Sequence, residues 1–436
     1  MRFSRPVSMA KSALRPNEFV LSYTVTDTGI IVYLIRGKVI VKSLFKPISR
    51  KELEARVEKF REPLDNLKSY EQLAKFDLKA GKKLSDLLLA EVLSELEKGK
   101  PIIIVPDDYL AILPFEMLVL NDGGRIDSIP DIPRTVGVEF LGDRNPISYY
   151  QSLTALTLAR SSSRNKSYSE KLLVIANPVV PADNQQGDQV ESPKSEDGNI
   201  SSTRENQIDL EIEALASREP QFSGMGSEVN LLSGNTYLKL LDFGPLHETK
   251  RLAVSLKTIF AERADVFAGE QATMETFRKK IAPNIGDYGK VVFATHGYFG
   301  KKLVPEIQEP VLIFSLIPAL ADNLLRMSSV MNLDMKADVV TLLACQTGLG
   351  KQISGEGTMG MGRAFQYAGA QSVLMSLWSV DEKPSVWLVE SFLRHLSEGK
   401  SKMESLKLAR DEIRKDLYDH PFFWATFILV GEMERN

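Results

Sequence analysis

An α/β fold built on a mostly parallel central sheet flanked by helices is what this sequence predicts, and three observations carry the prediction. Short apolar runs at residues 101–105, 171–177, 291–295, 339–344 and 372–378 alternate with longer amphipathic stretches, the order expected when each strand is followed by a crossover helix. The runs are rich in Val, Ile and Leu and lack apolar–polar alternation, the pattern of strands buried on both faces. At 436 residues the chain is too long for one ordinary hydrophobic core. Two regions are therefore expected, residues 1–165 and residues 166–436, each alternating strand and helix.

Composition narrows function by exclusion. Hydrophobic residues make up 43% and charged residues 25% of the chain, and the net charge is −3. So balanced a surface gives no case for direct binding of nucleic acid or membrane. Arg2, Arg5, Lys11 and Arg15 open the chain without the apolar stretch of a secretion signal, and no run approaches the ~18 apolar residues of a membrane span. The single cysteine rules out an internal disulfide and suits a reducing cytoplasm. Four scattered histidines and one thiol offer no clustered zinc spacing, and neither a metal nor an organic cofactor is expected.

Taken in order, residues 19–45 alternate apolar and polar positions around Asp27-Thr28-Gly29 and Arg36-Gly37-Lys38, the turns of a meander. Ser49 caps a helix expected to run to about residue 75, and residues 84–98 repeat the helical period until Gly99. A strand at 101–105, a strand-like segment at 136–141 and a helix at 152–160 complete the first region, which contains neither His nor Cys. The next strand, 171–177, leads into residues 183–207, where Gln, Ser, Glu, Asp and Gly replace the apolar periodicity; an exposed, disordered loop is expected there. A short strand at 228–232, a helix at 248–261, a strand at 265–268 and a helix at 273–281 precede the 291–295 strand. Helices at 358–368, 384–396 and 402–417, the 372–378 strand and a closing strand at 425–430 follow.

Two of the buried strands end in a reactive side chain. Val291-Val292-Phe293-Ala294-Thr295 runs into His296 and Gly297, and Val339-Val340-Thr341-Leu342-Leu343-Ala344 delivers Cys345, 49 residues after the histidine. One crossover connection fits that interval and sets the two strands side by side. Both side chains then stand at the carboxyl edge of the sheet, where ligands bind in open α/β folds. A thiol of ordinary pKa, ~8.5, is mostly protonated at neutral pH; an imidazole beside it takes the proton or, as imidazolium, stabilises the thiolate. Gly297 lacks a Cβ, so its N–H can approach a substrate and, with the N–H of Cys345, donate to a developing oxyanion.

Behind the two strand ends come Gly355-Glu356-Gly357, Arg363-Ala364-Phe365-Gln366-Tyr367-Ala368-Gly369-Ala370, Ser376-Leu377-Trp378-Ser379-Val380-Asp381-Glu382 and Phe423-Trp424-Ala425-Thr426-Phe427 with Gly431. His-Gly after one strand and Ala-Cys-x-Thr-Gly after the next, with these segments following, resemble the CHAT peptidases, relatives of caspases and separases. The resemblance covers residues 288–431 in its specific motifs and the whole chain more loosely. It implies a caspase-like fold in two related halves, the N-terminal one inactive and the C-terminal one active. It also implies a cysteine endopeptidase that cuts a specific protein substrate with His296 and Cys345. Members of that family are commonly joined to helical repeats, and several serve in bacterial defence or cell-death systems. An activating protein partner or helical-repeat module is therefore implied. The alternative is a CHAT-like scaffold that binds partners with its dyad latent.

Ser376, Leu377 and Trp378, at the end of the strand after the cysteine, are expected to line the substrate groove, where an extended peptide would add as a strand. Glu356, Asp381 and Glu382 are the carboxylates nearest the strand ends and would form a pocket for Arg or Lys before the scissile bond. The competing reading has Asp381 capping the helix that follows. Gly355-Glu356-Gly357-Thr358-Met359-Gly360 also matches a dinucleotide-binding G-x-G-x-x-G, but a loop separates it from the Cys345 strand, and that reading is set aside. His247, His395 and His420 stand in helical or loop contexts and read as structural or solvated.

Overall fold

Among the described residues, eleven strands form one sheet. The computed structural model describes residues 13–65, 67, 69–121, 123–129, 132–163, 167–179, 246–298, 309–315, 323–344, 351–353, 357–378, 381–415 and 418–434. In chain order the strands of the sheet are β1 (Phe19–Val25), β2 (Gly29–Arg36), β3 (Val39–Pro47), β4 (Ile102–Val105), β5 (Ile147–Tyr149), β6 (Leu172–Pro178), β7 (Ala264–Gly269), β8 (Lys290–Ala294), β9 (Val339–Leu343), β10 (Ser372–Ser376) and β11 (Phe427–Gly431). Across the sheet they run β3-β2-β1-β4-β5-β11-β10-β9-β8-β6-β7. The contacts β1–β2, β2–β3 and β10–β11 are antiparallel; the remaining seven are parallel, as the run pattern predicts.

Strands β4, β8, β9, β10 and β11 are buried at every position. Successive side chains of a strand point to opposite faces, so such strands are covered on both. The cover comes from α1 (Arg50–Arg61), α2 (Leu78–Leu89), α3 (Leu153–Ser163), α4 (His247–Phe260), α5 (Met361–Tyr367), α6 (Glu382–Ser397) and α7 (Lys402–Lys415). Helix α6 buries Val386, Leu388, Val389, Phe392, Leu393 and Leu396, the spacing of an apolar face broad enough to meet both sheet and neighbouring helix. Helix α5 lies close on β10 because residue 362 is glycine: a Cβ there would stand 2.5 Å from the Met375 sulfur.

Several boundaries differ from the sequence expectation, each for a local reason. Ser49 does cap α1, accepting from the Glu52 N–H, but the helix stops at Arg61 instead of running to 75, because Pro63 cannot continue the ladder. A 3-10 turn, Tyr70–Lys75, follows. Helix α2 begins at Leu78, where Asp77 accepts from the Ala80 N–H, and ends at Leu89 rather than near 98. The segment expected at 136–141 is the end of a hairpin, Arg125–Ile129 with Ile132–Val136, followed by a lone bridge between Val119 and Phe140. Residues 357–359 pair with Lys351–Ile353, so the helix expected from 358 starts at Met361. The expected loop 183–207 and strand 228–232 lie outside the described residues.

Strands from both sides of residue 165 share the sheet, and β11, last in the chain, sits between β5 and β10. Buried ion pairs cross the same junction. Arg160 of α3, held by both carboxylate oxygens of Glu18 within the first region, donates across the junction to Glu432 at 3.0 Å, and Arg410 of α7 donates to Glu116 at 2.9 Å. No helix among the described residues is long and apolar enough to cross a membrane.

Candidate active site

Parallel pairing of β8 with β9 sets Ala294 opposite Leu343 at the carboxyl edge of the sheet. His296 stands two residues beyond the first and Cys345 two residues beyond the second. Cys345 and Glu356 themselves lie outside the described residues.

Strand β8 does not run straight into the histidine. A bend at Thr295 ends the main-sheet pairing, and His296–Tyr298 opens a separate three-stranded antiparallel sheet with Val311–Ile313 and Leu324–Arg326. The Thr295 hydroxyl donates to the His296 carbonyl at 3.1 Å, a local side-chain bond of the kind that competes with ladder pairing. His296 then pairs with Ile313 and Gly297 with Leu312. Val311, Leu312 and Ile313 are fully buried, so the histidine rides on a strand anchored in the apolar interior, and it is itself only 2% exposed. Its strand is an edge of that small sheet among the described residues. Alternate N–H groups of an edge strand point away from its one neighbour.

Strand β9 is held at its end by a neighbour's side chain. Ser376, the last residue of β10, is buried and donates from Oγ to the Ala344 carbonyl at 2.8 Å. Leu377 and Trp378 are buried too. The Leu377 N–H donates to the Thr426 carbonyl at 2.9 Å, and the Leu377 carbonyl accepts from Arg61 at 3.3 Å. Trp378 Nε1 donates to the Phe422 carbonyl at 3.1 Å, with the Arg61 guanidinium 5.5 Å from the ring centroid. These three side chains, expected to line a groove, thus pack inside the molecule. Strand β10 has β9 on one edge and β11 on the other, which leaves no edge within it for a substrate peptide to add to.

The carboxylates after β10 serve helix ends. Asp381 caps α6, its Oδ1 accepting from the Lys383 N–H at 3.0 Å, while the Tyr70 hydroxyl donates to Oδ2. Burial holds its carboxyl above the usual range. The capping reading is thus the one realised, with α6 starting two residues before Pro384. Glu382 accepts from the Thr249 N–H in the first turn of α4 at 3.0 Å; burial pushes its pKa up to about 7, against the lowering effect of that bond. A cap and a brace between α6 and α4 therefore stand where the sequence suggested two walls of an acidic pocket.

The other histidines are elsewhere. His420 Nδ1 accepts from the Phe422 N–H at 3.1 Å, so Nε2 carries the proton that bonds the Leu73 carbonyl; burial lowers its pKa to about 3. His395 lies between Glu398 and Glu412, and His247 opens α4 at the surface. No group of three or more His, Cys, Asp or Glu is placed to hold a metal among the described residues. Sequence reasoning missed Arg61 and Tyr70, which reach Leu377 and Asp381 from the N-terminal region. An arginine at a helix end and a tyrosine in a polar stretch give no sign of such distant partners.

Known proteins bear on this geometry. A family model described as CHAT domain matches residues 78–432, more than half of the chain and across the expected boundary at 165. Tetratricopeptide repeat protein 28 of Homo sapiens is 32% identical over 115 residues, 26% of this chain, and the Mus musculus protein matches to the same extent. The chain spans only 5% of the length of those relatives. A crystal structure of the Saccharomyces cerevisiae separase–securin complex covers 98% of this chain and 30% of its own at TM-score 0.51 and 10% identity. The structure of the Arg-specific cysteine proteinase gingipain R covers 88% of this chain and 74% of its own at TM-score 0.43 and 10% identity. At such identity the separase likeness concerns the fold alone, and that fold is caspase-like.

Proposed function

Because the chain belongs to the CHAT-domain family, we propose that it is a cysteine endopeptidase that cleaves a specific protein through His296 and Cys345. The observation that carries this reading is the register of β8 on β9, Ala294 beside Leu343. Two residues of chain extend at most ~7 Å and parallel neighbours stand ~4.8 Å apart, so the register favours an imidazole and a thiol within reach of one another. His296 takes the thiol proton, the thiolate attacks the scissile carbonyl, and the N–H groups of Gly297 and Cys345 receive the oxyanion. The imidazolium then protonates the leaving amine, and water activated by the same histidine releases the acyl group. Asp381 and Glu382 being engaged at helix ends, the proposal carries no preference for Arg or Lys before the scissile bond.

The burial of His296 favours an enzyme that stays quiet until a protein partner engages it. The human and mouse relatives, tetratricopeptide repeat proteins by name, support a tetratricopeptide-repeat module as that partner, and a cytoplasmic bacterial defence or cell-death system is the setting proposed. The same burial favours the second reading, a scaffold whose dyad is latent. Cys345→Ala separates them. Incubated with proteins encoded beside it, the wild type is expected to cut one of them and the variant none, with the cellular effect lost as well. A variant that keeps the cellular effect establishes the scaffold.

A further inference from the structure

We propose that an apolar hole between α3 and α5 receives one aliphatic side chain of a protein partner, whose main chain lies in the groove leading to it. The proposal goes beyond the peptidase reading and holds equally for a scaffold. The hole follows from how the two regions share the sheet. Pairing sets Met375 opposite Ile428 and Val430 beside Tyr149, and residues opposite one another in a ladder project from the same face. Helix α5 closes on that face at β10, Gly362 against Met375, and α3 stands across a groove from it. Over β11 the two helices part, leaving a cavity of about 50 Å³ walled by Met375, Ile428, Val430, Ala111 and Gly360. Strands β5 and β11 share a single ladder pair, so side chains complete the seam. Gln151 Nε2 donates to Gln366 Oε1 at 2.5 Å, and Gln366 Nε2 donates to the Val430 carbonyl at 3.3 Å.

Chemistry and size select the occupant. Walls this apolar would leave a polar or charged group unpaired at a high desolvation cost. A cavity of about 50 Å³ is about a third of the ~150 Å³ that accommodates benzene, so it suits a branched aliphatic group and excludes a ring. The hole is also continuous with something larger. Tyr150, Gln151 and Arg363 line both it and the groove between α3 and α5, whose volume is about 1140 Å³. That is more than the ~300–1,000 Å³ of a small-molecule site, which favours a peptide segment over a free metabolite. Two large side chains of the groove face water, Tyr367 at 74% exposure and Leu158 at 59%. An aliphatic anchor in a closed hole, flanked by these side chains and by glutamine amides that can bond a peptide main chain, makes a docking site with a central hot spot.

The test uses the full-length Cys345→Ala protein, which on the peptidase reading leaves bound peptides intact, panned against phage displaying random dodecapeptides. Enriched peptides are expected to share a Leu, Ile or Val at one position. A synthetic peptide of that sequence should shift the Met375 methyl resonance, assigned through Met375→Leu, and should lose about 10-fold or more in affinity when the shared residue becomes Ala. Ala111→Leu fills the hole from a half-buried position on a 3-10 turn and should weaken binding to the same extent. Tyr367→Glu, at an exposed position, should weaken it by about threefold or more, with circular dichroism confirming that both variants fold. Failure of any peptide to enrich, a shared aromatic residue, or undiminished binding to Ala111→Leu overturns the proposal. A protein that sediments as a dimer, and as a monomer once Ala111 is Leu, gives the hole to a second copy of this chain and overturns it too. Every comparison is made without the cysteine, so these outcomes leave the peptidase reading untouched.

Discussion

At their amino ends β8 and β9 are tied by charge; at their carboxyl ends they are tied by neutral hydrogen bonds. Lys290, first in β8, is buried and bonds Glu170 at 3.0 Å. Asp338, just before β9, is buried against Lys402, first in α7 and wholly enclosed. The N–H groups of Asp338 and Val339 both donate to the Gly289 carbonyl, and a Cβ at Gly289 would lie 1.8 Å from the Ser169 carbonyl oxygen, so the chain is pressed tight there. At the other end the Ala344 carbonyl accepts from the Ser376 hydroxyl, and the Thr295 hydroxyl bonds the next carbonyl at a bend. Separating one member of a buried ion pair costs about 3–5 kcal/mol, whereas a neutral hydrogen bond contributes about 1 kcal/mol net. Buried charge pairing and neutral hydrogen bonding thus occupy opposite ends of the same two strands, and the end at which the proposed dyad stands is the one that yields at lower cost.

The largest expected effects test whether the ends are separable. His296→Gln should lower the rate of cleavage by about 10²–10⁴-fold while circular dichroism shows the protein still folded. Lys402→Met should do the reverse: it strands a buried carboxylate, and urea unfolding should register a loss of about 3–5 kcal/mol, with the rate per folded molecule unchanged. Adding Asp338→Asn to Lys402→Met should restore part of the loss, because the uncompensated charge is then gone. If Lys402→Met slows turnover of the folded protein as severely as His296→Gln, the division between a structural and a chemical end is broken.

The two strands that lead to His296 and Cys345 were legible in the sequence as buried parallel neighbours, and the reason is physical. A strand buried on both faces must be an unbroken apolar run, so the polar residue that ends it stands out, and His296 and Cys345 both follow such runs. The connection between them is long enough for one crossover, which explains why the two strands were expected as neighbours. What the pattern could not carry was any feature set by register. Ser376 reads as a small strand residue; its meaning depends on which carbonyl of β9 it meets. Trp378 and Leu377 read as groove-lining because they end a strand, and only the position of β11 shows that strand to be internal. The bend at Thr295 has no Gly or Pro to announce it. Two signals were present in the sequence: Pro63, which stops α1, and Asp381, already weighed as a cap, which places Pro384 in the first turn of α6, where the missing N–H is harmless.

A smaller effect sharpens the comparison from the carboxyl side. The buried carboxylate of Asp338 faces a lysine, whereas Glu382 has main-chain N–H donors and the carboxylates Glu248 and Asp381 about it. Burial without a cation pushes its pKa up to about 7, above the ~4.3 of an exposed glutamate. Between those values the folded protein holds a proton that the unfolded chain has released, so this group's contribution to stability falls as pH rises through the window. Glu382→Gln retains an acceptor for Thr249 and never ionises. The unfolding midpoints of wild type and variant, taken relative to their difference at pH 4.5, should diverge as pH approaches 7.5, with the variant gaining by about 1–2 °C. A wild type that instead gains on the variant over that range would mean that the ionised carboxylate is favoured in the fold. The contrast between a charge-compensated end and an uncompensated one would then fail at Glu382.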